Sequence, residues 1–348
     1  MTGKMPIPRF KIELVRNSFP VNPKFKLSKI EPNNETPRPQ SQAARVSPET
    51  IMRIKNLELR AKIVVEGFMS GLHRSPYHGF SVEFTDYRQY SVGDDLRYLD
   101  WKLYARNDRY YIKRFEDETN LRCYLLVDMS KSMGFGSLEF NKSEYAKTMA
   151  ATLAWFLNHQ RDAVGLLTFG DRIVDMVPPR YRAGHLRRLM MTLENVNSGT
   201  STDLAAPLEQ IAQTVSKRGL VVLISDLLAP VEQLTRNLGY LRSRGHEIVI
   251  LRTLDPAEVN FKFDQATMFR DLETGKEIYV DPQTAVEDYQ SRFESHESQI
   301  KQTCDQLGVQ YFQIQTDQPL ETALFNLLQT RASASKTVKR AVQAGGSR

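Results

Sequence analysis

The chain has 348 residues, 41% hydrophobic and 25% charged, enough apolar mass for one large domain or a domain with an appended module, which excludes a wholly disordered protein. It has no run of eighteen apolar residues, and its N-terminal MTGKMPIPRFKIEL lacks the apolar stretch of a secretory leader, so a cytoplasmic protein is expected. The net charge of +6 is uneven: residues 1–48 carry nine Lys/Arg against three Asp/Glu, residues 331–348 carry five Lys/Arg and no acid, and the body between them is left at −5.

Half of the sixteen prolines fall in the first 48 residues, among polar and basic neighbours and with no sustained hydrophobic period. This composition predicts a disordered basic arm over 1–47. Ser47-Pro48-Glu49 then places a capping hydroxyl before a proline at the first helical position, and Ile51, Ile54, Leu57 and Leu59 continue at near-helical spacing. One helix is expected from Pro48 to Phe68. Residues 81–115 are rich in aromatic and charged side chains and are broken at Ser91-Val92-Gly93-Asp94, which predicts small strands or a hairpin. Residues 48–118 therefore read as an N-terminal helix with a β-rich module. Within it, Gly93–Asp108 mixes acids and bases in a way that favours self-paired surface over a carboxylate cluster.

From Leu121 onward, apolar strands alternate with amphipathic helices. Strands are predicted at Arg122–Val127, Ala163–Phe169, Arg172–Val177, Leu220–Ser225, Glu247–Arg252 and Val309–Ile314. Helices are predicted at Lys142–Asn158, Gly184–Asn195, Asp203–Lys217, Val231–Arg244, Val286–Leu307 and Leu320–Leu328. Such alternation implies an open, mostly parallel α/β sheet with helices on both faces. Gly170-Asp171 is too short for a crossover, so 163–169 and 172–177 must run antiparallel at one edge. Glu273-Thr274-Gly275-Lys276 reads as the turn of a β-hairpin inserted over 255–282. The main domain spans 119–330, and a second basic, disordered tail occupies 331–348. Cys123 and Cys304 lack the spacing of a disulfide framework or a zinc site, and none of the six histidines has metal-binding spacing. Walker, Rossmann and nucleophile-elbow motifs are absent, which removes those routes to nucleotide binding and hydrolysis.

In open α/β sheets, ligands collect beyond the carboxyl ends of the strands. Three polar clusters occupy such places: Asp128-Met129-Ser130-Lys131-Ser132 after the first strand, Gly199-Thr200-Ser201-Thr202-Asp203 before a helix, and Ser225-Asp226 after LVVLIS. Their oxygens are hard ligands suited to Mg²⁺ or Mn²⁺. Each cluster alone also reads as a turn or helix cap. Their order along one sheet edge is what points to a shared ion.

The D-x-S-x-S element at 128–132, the Gly-Thr-x-Thr element at 199–202 and the strand-final Asp226 resemble the metal-ion-dependent adhesion site of von Willebrand factor A domains. The block EFTDYRQYSVGDDLRYLDWKLYARND and the segments QRDAVGLLTF, LISDLL and RGHEIVILRTLDP are similar to the bacterial domain-of-unknown-function 58 family, whose members are von Willebrand A-like and often encoded beside a MoxR-type AAA+ ATPase. The resemblance implies a three-layer von Willebrand A-like fold. It also implies metal ligands Asp128, Ser130, Ser132, Thr202 and Asp226, the last through water. Thr200 is the alternative to Thr202, which is preferred because apolar Leu208 follows it by six positions. The partner implied is a protein presenting an Asp or Glu, foremost a MoxR-type ATPase or its client, bound without catalysis. Two other functions stay open: a metal-dependent hydrolase at the same site, for which only Asp203 offers a spare base, and a metal-free structural module whose basic tails bind nucleic acid.

Overall fold

The computed structural model of the chain describes residues 46–72, 87–89, 104, 110–113, 121–195, 205–215, 217–261, 267–270, 277–280 and 282–328. The arm up to residue 45, the tail from 331, Gly93–Asp108 apart from Tyr104, the Glu273–Lys276 turn and the loop Gly199–Asp203 lie outside them. The chain divides into two compact units, 69–121 and the remainder. In the smaller unit β1 (Tyr87–Gln89) pairs antiparallel with β2 (Tyr111–Lys113), and Tyr104 stacks on Tyr110 at 4.5 Å.

The helical part of the expected 48–118 module groups with the main sheet. It is also two helices, α1 (Pro48–Met52) and α2 (Leu57–Leu72), where one was expected. Ser47 caps α1 as its sequence implies, accepting from the Thr50 amide at 3.4 Å. The break follows because Asn56 Oδ1 accepts the Leu59 amide at 2.7 Å and starts a new helix, while Arg60 donates to the carbonyls of Met52 and Ile54 that α1 leaves free. Leu57, Ala61, Val64, Val65 and Phe68 are then buried, with Phe68 edge-on to Phe156 at 6.1 Å.

The main sheet contains β3 (Arg122–Asp128), β4 (Ala163–Phe169), β5 (Ile173–Arg180), β6 (Leu220–Ser225), β7 (Glu247–Leu254) and β10 (Gln310–Gln315), in the spatial order β10-β7-β6-β3-β4-β5. All pairings are parallel except β4 with β5. The connecting helices are α3 (Lys142–His159), α4 (His185–Asn195), α5 (Ala205–Thr214), α6 (Val231–Ser243), α7 (Pro256–Asn260) and α8 (Pro282–Leu307), and residues 321–328 are also helical. A separate pair, β8 (Thr267–Arg270) and β9 (Glu277–Val280), runs antiparallel, as expected of the hairpin.

Central strands buried on both faces need apolar residues at successive positions, which is how LLVD, GLLTF and LVVLIS read. Tyr124, Leu126, Val221, Leu223, Ile248 and Ile250 pack with Leu208 and Ile211 of α5, Leu234 and Leu238 of α6, and Ile300 and Cys304 of α8. Their alternates Leu125, Val127, Val222 and Ile224 are equally buried, and α3 packs against β3, β4, β6 and β7. The result is the expected three-layer α/β sheet, mostly parallel, with one reversed edge strand. That edge strand runs on through Pro178 and Pro179, beyond the predicted end at Val177. An edge strand can accept prolines because its outer side has no ladder to complete.

Successive strands leave β3 in opposite directions, β4 on one side and β6 on the other. The crevice at such a switch point opens beyond the carboxyl ends of β3 and β6. Asp128 ends β3, and Asp226 follows the last residue of β6.

Candidate functional site

Strand β3 keeps its pairing one residue past Asp128, since the Met129 amide donates to the Phe169 carbonyl at 2.7 Å. Ser130 is extended, and a 3-10 turn follows over Lys131–Gly134. The turn folds Ser130 and Ser132 back on the strand end: Asp128 Oδ1 accepts the Ser130 amide at 2.8 Å, and the Ser130 and Ser132 hydroxyls stand 3.0 Å apart. From the adjacent strand, Ser225 Oγ donates to Asp128 Oδ2 at 2.6 Å and accepts the Leu227 amide at 3.0 Å. Asp226 Oδ1 accepts the Leu228 amide at 3.2 Å, and Ser132 hydrogen-bonds to the same carboxylate. Asp128, Ser130, Ser132 and Asp226 thus meet at one rim, and all four are buried. Thr202 and Thr200 lie outside the described residues.

The backbone at Asp226 is held from several sides. Leu227 has φ 55°, a left-handed conformation that costs a β-carbon residue about 1–2 kcal/mol. Its burial and the bonds from Ser225 and Asp226 to the next two amides keep it there. The Arg252 guanidinium, itself buried, donates to the Asp226 carbonyl at 3.1 Å.

Lys142 is absent from the sequence-based set. It is the first residue of α3, fully buried, and its Nζ sits 2.9 Å from Asp226 Oδ2 and 2.6 Å from Glu258 Oε1. A cation in a first helical turn opposes the helix dipole, so this position needs compensating charge. The two carboxylates supply it. A lysine at the start of an otherwise well-capped helix was the available signal: Asn141 and Glu144 form a capping box, with the Glu144 amide donating to Asn141 Oδ1 at 2.9 Å. Glu258 is fixed in turn, its Oε2 accepting the Asp255 amide at 2.9 Å and its carbonyl the Tyr289 hydroxyl at 2.8 Å. Asp255 caps the short α7, also missing from the sequence-based elements, and accepts from the Ser137 amide at 2.8 Å. The loop between the 3-10 turn and α3 is therefore clamped to the end of β7. Gly136 permits its tight path, because a Cβ there would lie 2.5 Å from the Phe140 carbonyl oxygen.

These contacts divide the two aspartates. Asp128 is pushed up to about 6 by burial first and by the charge of Asp226 second, against the opposing hydrogen bonds from Ser225 and Ser130. For Asp226, burial pushes upward, but the Lys142 ammonium and the bonds to Lys142, Ser132 and Leu228 outweigh it and hold the carboxyl below the usual range. Lys142 is held above its ordinary value, since Asp226 and Glu258 outweigh its desolvation.

The donors suit a small dication. Asp128, Ser130 and Ser132 offer hard oxygens, with Asp226 behind them. Among the described residues no ammonium or guanidinium pairs with Asp128, whose charge is left buried beside another carboxylate. With Asp128, Asp226 and Glu258 ionised and both Lys142 and the adjacent Arg252 charged, the rim keeps a net negative charge that a bound cation would offset. Among the described residues no group of three or more His, Cys, Asp or Glu side chains is arranged to hold a metal, so hydroxyls would have to supply part of the shell.

The family described as "Protein of unknown function DUF58" matches residues 86–299. Uncharacterized proteins of Mycobacterium bovis and Mycobacterium tuberculosis are 27% identical over 275 residues, covering 78% of this chain and 86% of theirs. Among solved structures, an aerotolerance-related membrane protein from Bacteroides fragilis is similar with TM-score 0.44 and 16% identity, over 60% of this chain and 97% of that one. The conserved hypothetical protein BatB from Bacteroides thetaiotaomicron is similar with TM-score 0.43 and 14% identity, over 61% and 99%.

Proposed function

The chain belongs to the DUF58 family with a von Willebrand factor A-like sheet, and from that premise we propose that it is a non-enzymatic protein-binding module whose docking depends on a divalent cation. The ion would be Mg²⁺ or Mn²⁺, and Asp128, Ser130, Ser132 and Asp226 are the described residues that would hold it, with Thr202, or Thr200, the further ligand that the sequence suggests. The observation that carries this reading is the buried Asp128 carboxylate, which has two hydroxyls beside it and no cationic partner among the described residues.

When bound, the ion supplies an electron-poor position that a partner's Asp or Glu can fill. The chain's own residues orient that position. Ser225 and the Ser130 amide fix both oxygens of Asp128, and Lys142 fixes Asp226. A docking role is favoured over hydrolysis because Asp226, the second carboxylate at the rim, is engaged by Lys142 and held below the usual range, which makes it a poor acceptor of a proton from water. The partner proposed is a MoxR-type AAA+ ATPase or its client, on the strength of the family resemblance, and the setting proposed is the cytoplasm. Among the described residues no helix is long and apolar enough to cross a membrane.

The test is capture of a MoxR-type ATPase by the full chain in millimolar Mg²⁺, in EDTA, and with Asp128→Ala. Capture that needs both Mg²⁺ and Asp128 is expected. Capture that persists unchanged in EDTA contradicts the reading.

A further inference from the structure

Asp226 is the predicted ligand that the structure has already given a cation. Its Oδ2 is taken by Lys142 at 2.9 Å, and its carboxylate also accepts from the Leu228 amide and from Ser132. We infer that Lys142 is a built-in counter-ion that keeps Asp226 out of direct coordination and sets how tightly the rim holds a divalent ion. The inference rests on the cation-site reading above and specifies its regulation.

Neither partner can turn away from the other without breaking several contacts. The Lys142 amide donates to the Phe135 carbonyl at 2.9 Å, its ammonium lies 5.9 Å from the Phe135 ring centroid, and its second carboxylate, Glu258, is anchored by Asp255 and Tyr289. Asp226 is pinned by the left-handed Leu227 and by Arg252 on its carbonyl. An ammonium locked in a water-poor pocket repels a dication placed nearby, and a carboxylate committed to that ammonium gives the dication little in return. Three consequences follow for the bound state. The inner ligands from the strand ends reduce to Asp128, Ser130 and Ser132. The ion is held weakly enough to exchange. Its unfilled positions stay electron-poor, which favours an incoming carboxylate over a water-only shell.

The experiment is calorimetric titration of Mn²⁺ into the full chain, with circular dichroism confirming the fold of each variant. Lys142→Met removes the counter-ion but leaves two buried carboxylates unpaired. Lys142→Met/Glu258→Gln is the companion that lowers this burden and keeps the test open if the single variant does not fold. Mn²⁺ is expected to bind at least tenfold tighter to these variants than to the wild type. Adding Asp226→Asn to the double variant should remove that gain, a result that a purely structural role for Lys142 would not produce. Wild-type binding with no tighter binding in the folded variant overturns the inference and leaves the cation site standing. If only the variant binds Mn²⁺, the counter-ion role holds and the wild-type cation site fails. If neither binds, both fail.

Discussion

Two carboxylates at neighbouring strand ends have opposite electrostatic fates. Asp128 is solvated by hydroxyls and one amide and faces another negative charge. Asp226 has a buried ammonium at 2.9 Å. Local residue pattern gives no reason for their charges to be handled differently, since each lies at the end of an apolar strand and precedes a turn. What separates them is Lys142, delivered from 84 residues away by the start of α3. One strand end is therefore complete in itself, and the other leaves a charge for something else to neutralise.

The largest effect should come from breaking the completed end. Lys142→Met should lower stability in urea unfolding by about 3–5 kcal/mol in EDTA, the usual cost of leaving a buried charge without its partner. A loss below about 1 kcal/mol would mean that the pair is solvated in solution.

A smaller effect, of distinct form, should come from the incomplete end. Asp128 has its folded value raised from 3.8 to about 6, so between those pH values the native state holds a proton that the unfolded state releases. Stability from this group is full below about pH 4 and falls as pH rises through 6, by roughly 2–3 kcal/mol at 1.36 kcal/mol per unit. Comparing wild type with Asp128→Asn in EDTA across pH 4 to 7 isolates the term, because the variant lacks that loss. Parallel curves would show that Asp128 is not isolated as described.

The smallest effect marks the contrast with an exposed pair. Arg53 and Glu139 meet at 3.3 Å with 71% and 66% of their side chains exposed. Glu139→Gln should change stability by under about 0.5 kcal/mol, and 0.5 M salt should erase the difference. A cost as large as that of Lys142→Met would undo the claim that burial makes the difference.

Legibility in the sequence followed the same division between local and long-range causes. Strands Ala163–Phe169 and Leu220–Ser225 start and end where predicted, because each apolar run is cut off by Gly170-Asp171 or Asp226. Helix α8 begins at Pro282, four residues before the predicted Val286, since proline suits a first helical position and the apolar period starts later. The break at Asn56 depends on one side-chain cap and on Arg60 reaching back to two carbonyls, which hydrophobic spacing does not register. At the rim, Asp128, Ser130, Ser132 and Asp226 were identifiable from type and position on the sheet edge. Lys142 and Glu258 were not, because their roles exist only once α3 and the end of β7 converge on Asp226. A charge against the helix dipole was the one local trace of that convergence.

The central claim is that the Asp128 end is open to a cation. Its most direct test is titration of Mg²⁺ and Mn²⁺ into purified full-length protein while the melting temperature is followed, beside Asp128→Ala. The account predicts that millimolar ion raises the wild-type melting temperature, by an amount equivalent to about 2.7 kcal/mol once the ion is a hundredfold above its dissociation constant, and leaves the variant unmoved. Equal responses in the two proteins, or none in either, would contradict it.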